Sequence, residues 1–290
     1  MWPIKPAPLS PPWSKVEQAS SLHRIALGLS YRGDHYHGWQ SQSDGQTVQD
    51  HLESALGRFS ALEGSPRIAV HCAGRTDTGV HALQQVLHFD TPLQREPSSW
   101  VRGVNRYLPA DIAVRWAQPM PATFHARSAA LARRYVYLLL DSPVRPSLGA
   151  GRVGWSHRPL DAALMQAAAD LLLGEHDFSS FRASACQALS PIKHLTRLQI
   201  TRQGSLILCE FEANAFLHHM VRNIMGCLVA VGQGAHAPDW LGQVLAAQSR
   251  KAAAPTFSAA GLYFLGGVYA AEWNLPDVSA DELLPHILLS

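Results

Sequence analysis

Apolar and polar positions change period several times along the chain, and each change marks an element. From Leu22 to Leu29, apolar and β-forming residues read as a strand. Thr47 then caps a helix whose apolar positions, Val48, Leu52, Ala55, Leu56 and Phe59, fall at helical spacing. Two short apolar runs, Ile68 to Cys72 and Gln84 to Asp90, read as strands on either side of a glycine-punctuated loop. Pro97 opens a second helix through Trp100, Val101, Val104 and Tyr107, Pro109 closes it, and Ile112 to Trp116 is a further strand. Strand, helix, strand, strand, helix, strand is the ferredoxin-like order, a twisted antiparallel sheet with helices on one face.

The second half repeats that order. Arg134 to Leu140 is a strand and Asp161 to Leu173 a helix rich in alanine and leucine. Leu195 to Thr201 and Leu206 to Ala213 form a strand pair turning at Gln203-Gly204, Phe216 to Val231 and Asp239 to Gln248 are helices, and Gly261 to Ala270 is a last strand. The expectation is an α+β protein of two ferredoxin-like (βαββαβ-type) units, their mainly antiparallel sheets side by side and a cleft between them. Pro119 and Pro121 interrupt the pattern near the expected boundary, giving an N-terminal unit of 22–118 and a C-terminal unit of 119–275, with 276–290 as a tail. Residues 1–21 carry Pro3, Pro6, Pro8, Pro11 and Pro12 without an apolar core segment. They read as a disordered extension and exclude a secretory signal.

The 290 residues carry 24 Lys+Arg against 22 Asp+Glu, so whole-chain charge does not announce a nucleic-acid partner and any basic surface must be local. Cys72, Cys186, Cys209 and Cys227 are scattered without a CxxC pair, which favours reduced thiols in a cytoplasmic protein. No stretch is long and apolar enough to span a membrane.

The stretch with the densest chemistry is Ala73-Gly74-Arg75-Thr76-Asp77-Thr78-Gly79-Val80-His81-Ala82. Two glycines bracket one carboxylate, and Arg75 and His81 add a permanent cation and a group that titrates near neutrality. Such a loop suits a phosphate-rich partner and a reaction at one atom. Asp and Thr between glycines also form turns that satisfy nearby backbone donors and do nothing else.

In the helix from Phe216, apolar residues leave a stripe of His219, Arg222, Asn223 and Gly226 on one face. Arg222 must reach solvent or a carboxylate, because burying it unpaired is expensive. On the strand Arg133-Arg134-Tyr135-Val136-Tyr137 the two tyrosines share a face, as core or as a platform for a base. Arg127, Arg133 and Arg134 beside them suit phosphates or are solvated surface charges.

GRTDTGVHA resembles the signature GRTDAGVHA of the TruA-type tRNA pseudouridine synthases, departing only at Thr78. ANAFLHHMVRNIMG (213–226) and FHARSAALARRYVY (124–137) are similar to two further motifs of that family. YRGDHYHGWQ resembles YDGTxYHGWQ with Arg32 and Asp34 as departures, HDFSSFRASACQALSP matches another segment, and PTFSAAGLYF matches more loosely. The resemblance runs from about Leu22 to Trp273.

The resemblance implies a pseudouridine synthase fold with a central catalytic cleft and isomerisation of uridines 38, 39 and 40 of the tRNA anticodon stem-loop. It implies Asp77 as nucleophile, Arg222 pairing with it, and Tyr135 against the target uracil. The target must leave the base stack, which costs a few kcal/mol. Arg75 stands where it would fill the gap, and Arg127, Arg133 and Arg134 are the other candidate RNA contacts. A homodimer, no metal and no cofactor are implied as well.

Two other readings have distinct signatures. A metal-dependent hydrolase would draw on His35, His37, His71 and His81 around Asp77, although no HExxH accompanies them. A non-catalytic RNA-binding module on a ferredoxin-like sheet needs no acid in the signature loop and normally shows an RNP1-like string, which is missing here.

Overall fold

The computed structural model describes residues 22–61 and 67–282. The N-terminal extension expected over 1–21 and the last residues of the tail lie outside them. The chain runs through β1 (His23–Tyr31), α1 (Val48–Ser60), β2 (His71–Cys72), β3 (His81–Thr91), α2 (Pro97–Asn105) and β4 (Ile112–Met120). It continues through β5 (Ala130–Asp141), β6 (Gly154–Ser156), α3 (Ala162–Asp170), β7 (Gly174–Asp177), β8 (Ile192–Gln203), β9 (Leu206–Ala213), α4 (Met220–Gly232), α5 (Trp240–Ala246) and β10 (Leu262–Tyr269).

The strands form one large, mostly antiparallel sheet in the order β4-β1-β3-β10-β5-β9-β8-β7, with β2 added on β3 and β6 on β5. The two halves meet where β10 lies parallel to β3, pairing Tyr263 with His81 and Phe264 with Ala82. Every neighbour of β1, β8 and β9 in the sheet is antiparallel. The fold is therefore a mixed α+β protein built on a single sheet that crosses both halves.

Alternation along β5 sends Tyr135, Tyr137 and Leu139 into the large core and Val136 and Leu138 into a smaller cluster with Leu83, Tyr263, Leu265 and Val278. That is the period-two rule of a sheet covered on both faces. Each fully buried leucine of this kind contributes about 1.5–3 kcal/mol. On the large-core side α1 and α2 join through Phe59 and Trp100, whose rings meet edge to face at 5.3 Å. Trp100 also packs on Phe89 of β3 at 5.1 Å.

Several boundaries differ from the sequence expectation for identifiable reasons. β4 continues to Met120 through Pro119, because it is the outer strand of the sheet and an edge tolerates a missing N–H. Asp161 lies just before α3, where its carboxylate accepts from the Ala163 and Leu164 amides, and the helix stops at Asp170. The helix expected from Phe216 begins at Met220. β3 begins at His81, so the last two residues of the signature stretch are strand.

Candidate active site

Residues 73–80 connect β2 to β3 and hold Asp77 at a tight reversal. The Val80 amide donates to the Asp77 carbonyl (3.1 Å). Gly79 has φ 79°, the positive value that the third residue of a type II turn requires. The YRGDHYHGWQ segment braces this turn from behind. The Trp39 amide donates to the Thr76 carbonyl (3.0 Å), and Tyr31 and Thr76 join their hydroxyls at 2.7 Å. Gly38, at φ 84°, passes so close that a Cβ there would lie 2.7 Å from the Thr76 oxygen.

His81 is corrected from a titrating loop residue to a buried pin. Its Nδ1 accepts from the Gly33 amide (3.0 Å), and Nε2 faces the Gly151 and Ala260 carbonyls (2.9 and 3.1 Å). The ring is 1% exposed and stacks on Tyr263. Burial lowers its pKa, so it is neutral at pH 7.

The other half brings three side chains to Asp77. Arg222 Nη1 stands 3.8 Å from Oδ2, His219 Nε2 3.6 Å from the same oxygen, and His218 Nε2 3.4 Å from Oδ1. Arg222 is fixed by its own Nε, which donates to the Phe257 carbonyl (2.9 Å), while the Phe257 amide donates back to the Arg222 carbonyl (3.1 Å). Asn223 and Gly226, on the same stripe, hold that neighbouring segment. Thr256 donates to Asn223 Oδ1 (2.7 Å), and a Cβ at Gly226 would collide with the Pro255 oxygen at 2.2 Å.

Sequence reasoning missed His218. An unbroken helix from Phe216 would put adjacent residues on different faces, yet both histidines face one carboxylate. The cause is His219, which precedes α4 in the left-handed region at φ 62°. That conformation is uncommon for a residue with a Cβ, and such strain gathers at functional sites. The two imidazole centroids lie 4.0 Å apart. Burial outweighs the pull of Asp77 and keeps the His219 pKa below its usual value. The only visible signal was the pair of histidines itself.

These groups open on a cleft of about 1090 Å³ lined by Arg75, Asp77, Arg127, Arg133, Tyr135, Phe216, His218, His219 and Arg222. Tyr135 is nearly buried, its ring edge to face with Phe216 at 5.0 Å and tilted against Phe264 at 5.0 Å. Burial first, then the Asp77 charge, raises its pKa, so the phenol stays protonated. Tyr137 is core, its hydroxyl donating to the Ser258 carbonyl (2.9 Å). The HDFSSFRASACQALSP segment supplies another wall, where Arg182 donates to the Cys186 and Ala188 carbonyls (both 2.8 Å).

The candidate basic contacts separate into three kinds. Arg75 and Arg127 are exposed on the cleft, and their guanidinium groups have no hydrogen bond among the described residues. Arg133 also lines the cleft, but it donates to the carbonyls of Ala73, Arg127, Ala130 and Asn214, tying the start of the Asp77 loop to the opposite half. Arg134 is corrected: it lies on the other face of β5, paired with Asp277, and does not reach the cleft. The same alternation that puts Tyr135 inside the cleft turns its neighbour away.

The histidines that a hydrolase reading would need do not gather at Asp77. His35 meets Asp34 and Asp111, His37 meets Asp44, and His71 stacks on His88. Among the described residues, the one group with donor atoms close enough to share an ion is Asp77, His218 and His219, all within 4.8 Å.

A family model described as tRNA pseudouridine synthase matches residues 29–127 and 168–269. A protein of Albidiferax ferrireducens named tRNA pseudouridine synthase A is 64% identical over 254 residues, covering 88% of this chain and 96% of its own length. Proteins of the same name from Variovorax paradoxus and Delftia acidovorans are 64% and 60% identical, over 87% and 90% of this chain and 94% and 100% of their own lengths.

Proposed function

The chain belongs to the tRNA pseudouridine synthase family, and from that premise we propose that its cleft modifies uridines 38, 39 and 40 of the anticodon stem-loop with Asp77 as the acting carboxylate. The enzyme is an isomerase that converts uridine in tRNA to pseudouridine. In that reaction the bond from ribose C1′ to uracil N1 breaks, the base turns, and C1′ joins C5. The C5 hydrogen leaves as a proton and N1 gains one, so no atom is added or lost.

One observation carries the role of Asp77. It is an ionisable acid beside a permanent cation, on the wall of a cleft large enough for an extruded nucleotide. Glycoside hydrolases need a second carboxylate to protonate a poor leaving group or to activate water. Uracil leaves as a stabilised anion and must be recaptured, so one carboxylate acting at the sugar suffices. Attack at C1′ and removal of the C2′ proton both use the carboxylate anion, and the Arg222 guanidinium 3.8 Å away is its partner. Tyr135, protonated and held between Phe216 and Phe264, offers a ring for the uracil. Arg75 and Arg127, with donors that make no hydrogen bond among the described residues, suit the displaced backbone.

The two halves are read as ferredoxin-like units, 22–118 and 119–275. The order β4-β1-β3 with β2 on β3, and the order β10-β5-β9-β8, follow the same scheme of fourth, first, third and second strand, which supports that reading. The working form is read as a cytoplasmic homodimer. The reaction is redox-neutral and needs no group donor, so it calls for no resident metal or cofactor.

The test is release of tritium from tRNA carrying C5-labelled uridine, followed by mapping of the modified positions. Pseudouridine at 38, 39 and 40 is the expected product. Turnover confined to other positions would reject the site assignment.

A further inference from the structure

Arg222 supplies the permanent cation beside Asp77, which leaves two imidazoles aimed at the same carboxylate without a task. A tetrahedral zinc ion with Zn–N and Zn–O bonds of about 2.0–2.2 Å holds its ligand atoms about 3.4 Å apart. His218 Nε2 and His219 Nε2 stand 3.4 and 3.6 Å from the two oxygens of Asp77, and the three donors lie within 4.8 Å of one another. Two imidazoles, one carboxylate and an open position form a ligand set that late first-row divalent ions take. The open position faces the cleft, which all three residues line.

The geometry points to a binding site for a zinc-class divalent ion at Asp77, His218 and His219, which blocks the cleft when filled. Site chemistry sets the selectivity. Mg²⁺ prefers oxygen ligands and gives up its waters reluctantly, so two nitrogens and one carboxylate hold it poorly. Zn²⁺, Co²⁺ and Ni²⁺ suit imidazole. The Arg222 guanidinium, 3.8 Å from Oδ2, repels any arriving cation. The metal therefore competes with Arg222 for the Asp77 carboxylate. Binding of the ion stands apart from the proposed role of Asp77, whereas loss of turnover on binding rests on that role.

The full chain, stripped of metal and without RNA, is titrated with Co²⁺ while the visible d–d bands are recorded. One equivalent is expected, displaced by Zn²⁺ and unaffected by millimolar Mg²⁺. His218→Gln, His219→Gln and Asp77→Asn should each weaken it by about tenfold or more, with thermal melts confirming that each variant is folded. A featureless spectrum up to millimolar Co²⁺ would overturn the site. So would unchanged affinity in all three folded variants, since the ion would then sit on other histidines such as His71 and His125. In the tritium assay, Zn²⁺ should stop the wild-type enzyme and a chelator restore it. Full turnover with the site demonstrably filled would refute the blocking role and leave the site standing.

Discussion

The Tyr31 hydroxyl, at the end of the first strand, lies 2.7 Å from the hydroxyl of Thr76, one residue before Asp77. Both residues are buried. The height of the Asp77 turn above the sheet is therefore set from beneath by β1. Tyr31→Phe leaves the Thr76 hydroxyl without that partner and should cost about 1–2 kcal/mol in urea denaturation. Because the turn loosens, kcat should fall while tRNA affinity holds. An unchanged midpoint together with an unchanged kcat would show that the pair does not position the turn.

Asp77→Asn keeps the turn, which is closed by the Asp77 main-chain carbonyl, and removes the charge. Turnover should drop by about a thousandfold or more, with tRNA binding within several-fold in a filter-binding assay. Substantial residual isomerisation would reject Asp77 as the acting acid.

Arg222→Lys preserves the charge but loses the planar fork that donates to the Phe257 carbonyl while facing Asp77. Single-turnover rates should fall by roughly ten- to a hundredfold, a loss of about 1.4–2.8 kcal/mol of transition-state stabilisation. A rate within twofold of wild type would mean that the ion pair is dispensable.

Thr78 occupies the position where the family signature has alanine, and its side chain is exposed. Thr78→Ala should change stability by no more than about 0.5 kcal/mol and leave kcat/KM nearly unaltered. A large kinetic effect would instead assign the threonine a contact with RNA.

His88 makes stability depend on pH. It is 1% exposed, its Nδ1 accepts from the Ala126 amide (3.2 Å), and burial together with the nearby Arg24 charge pushes its pKa down to about 4. The unfolded chain holds that proton with a pKa near 6.5, so between those values the unfolded state binds more protons. The contribution is complete above about pH 6.5 and lost as pH falls towards 4, at roughly 1.4 kcal/mol for each pH unit crossed between the two. His88→Gln should flatten the change in urea midpoint between pH 7 and 4.5. Parallel profiles for variant and wild type would assign the acid sensitivity elsewhere.

The parts of the fold that the sequence made legible are those with local causes. Thr47 caps α1 as its spacing implied, and Gly79 supplies the positive φ that a turn around Asp77 needs. His81 was misread because a polar residue two positions after a glycine looks like loop. Its partners at Gly33, Gly151 and Ala260 are distant in sequence, and no local pattern announces them. His218 was missed because periodicity assumes an unbroken helix, and the left-handed turn at His219 is a tertiary effect. Arg134 was grouped with Arg133 by adjacency, although period two already put them on opposite faces. β6 and β7, of three and four residues, are too short to show alternation at all.

The strand pairing that joins the halves consists of two residue pairs between β3 and β10, and among the described residues β10 is the last strand in chain order. A nascent chain that has made Asp77, and even Arg222, still lacks the piece that fixes the spacing between them. Catalytic competence should therefore await the docking of the closing strand beside His81, and a chain that stops short of it would meet tRNA without altering it.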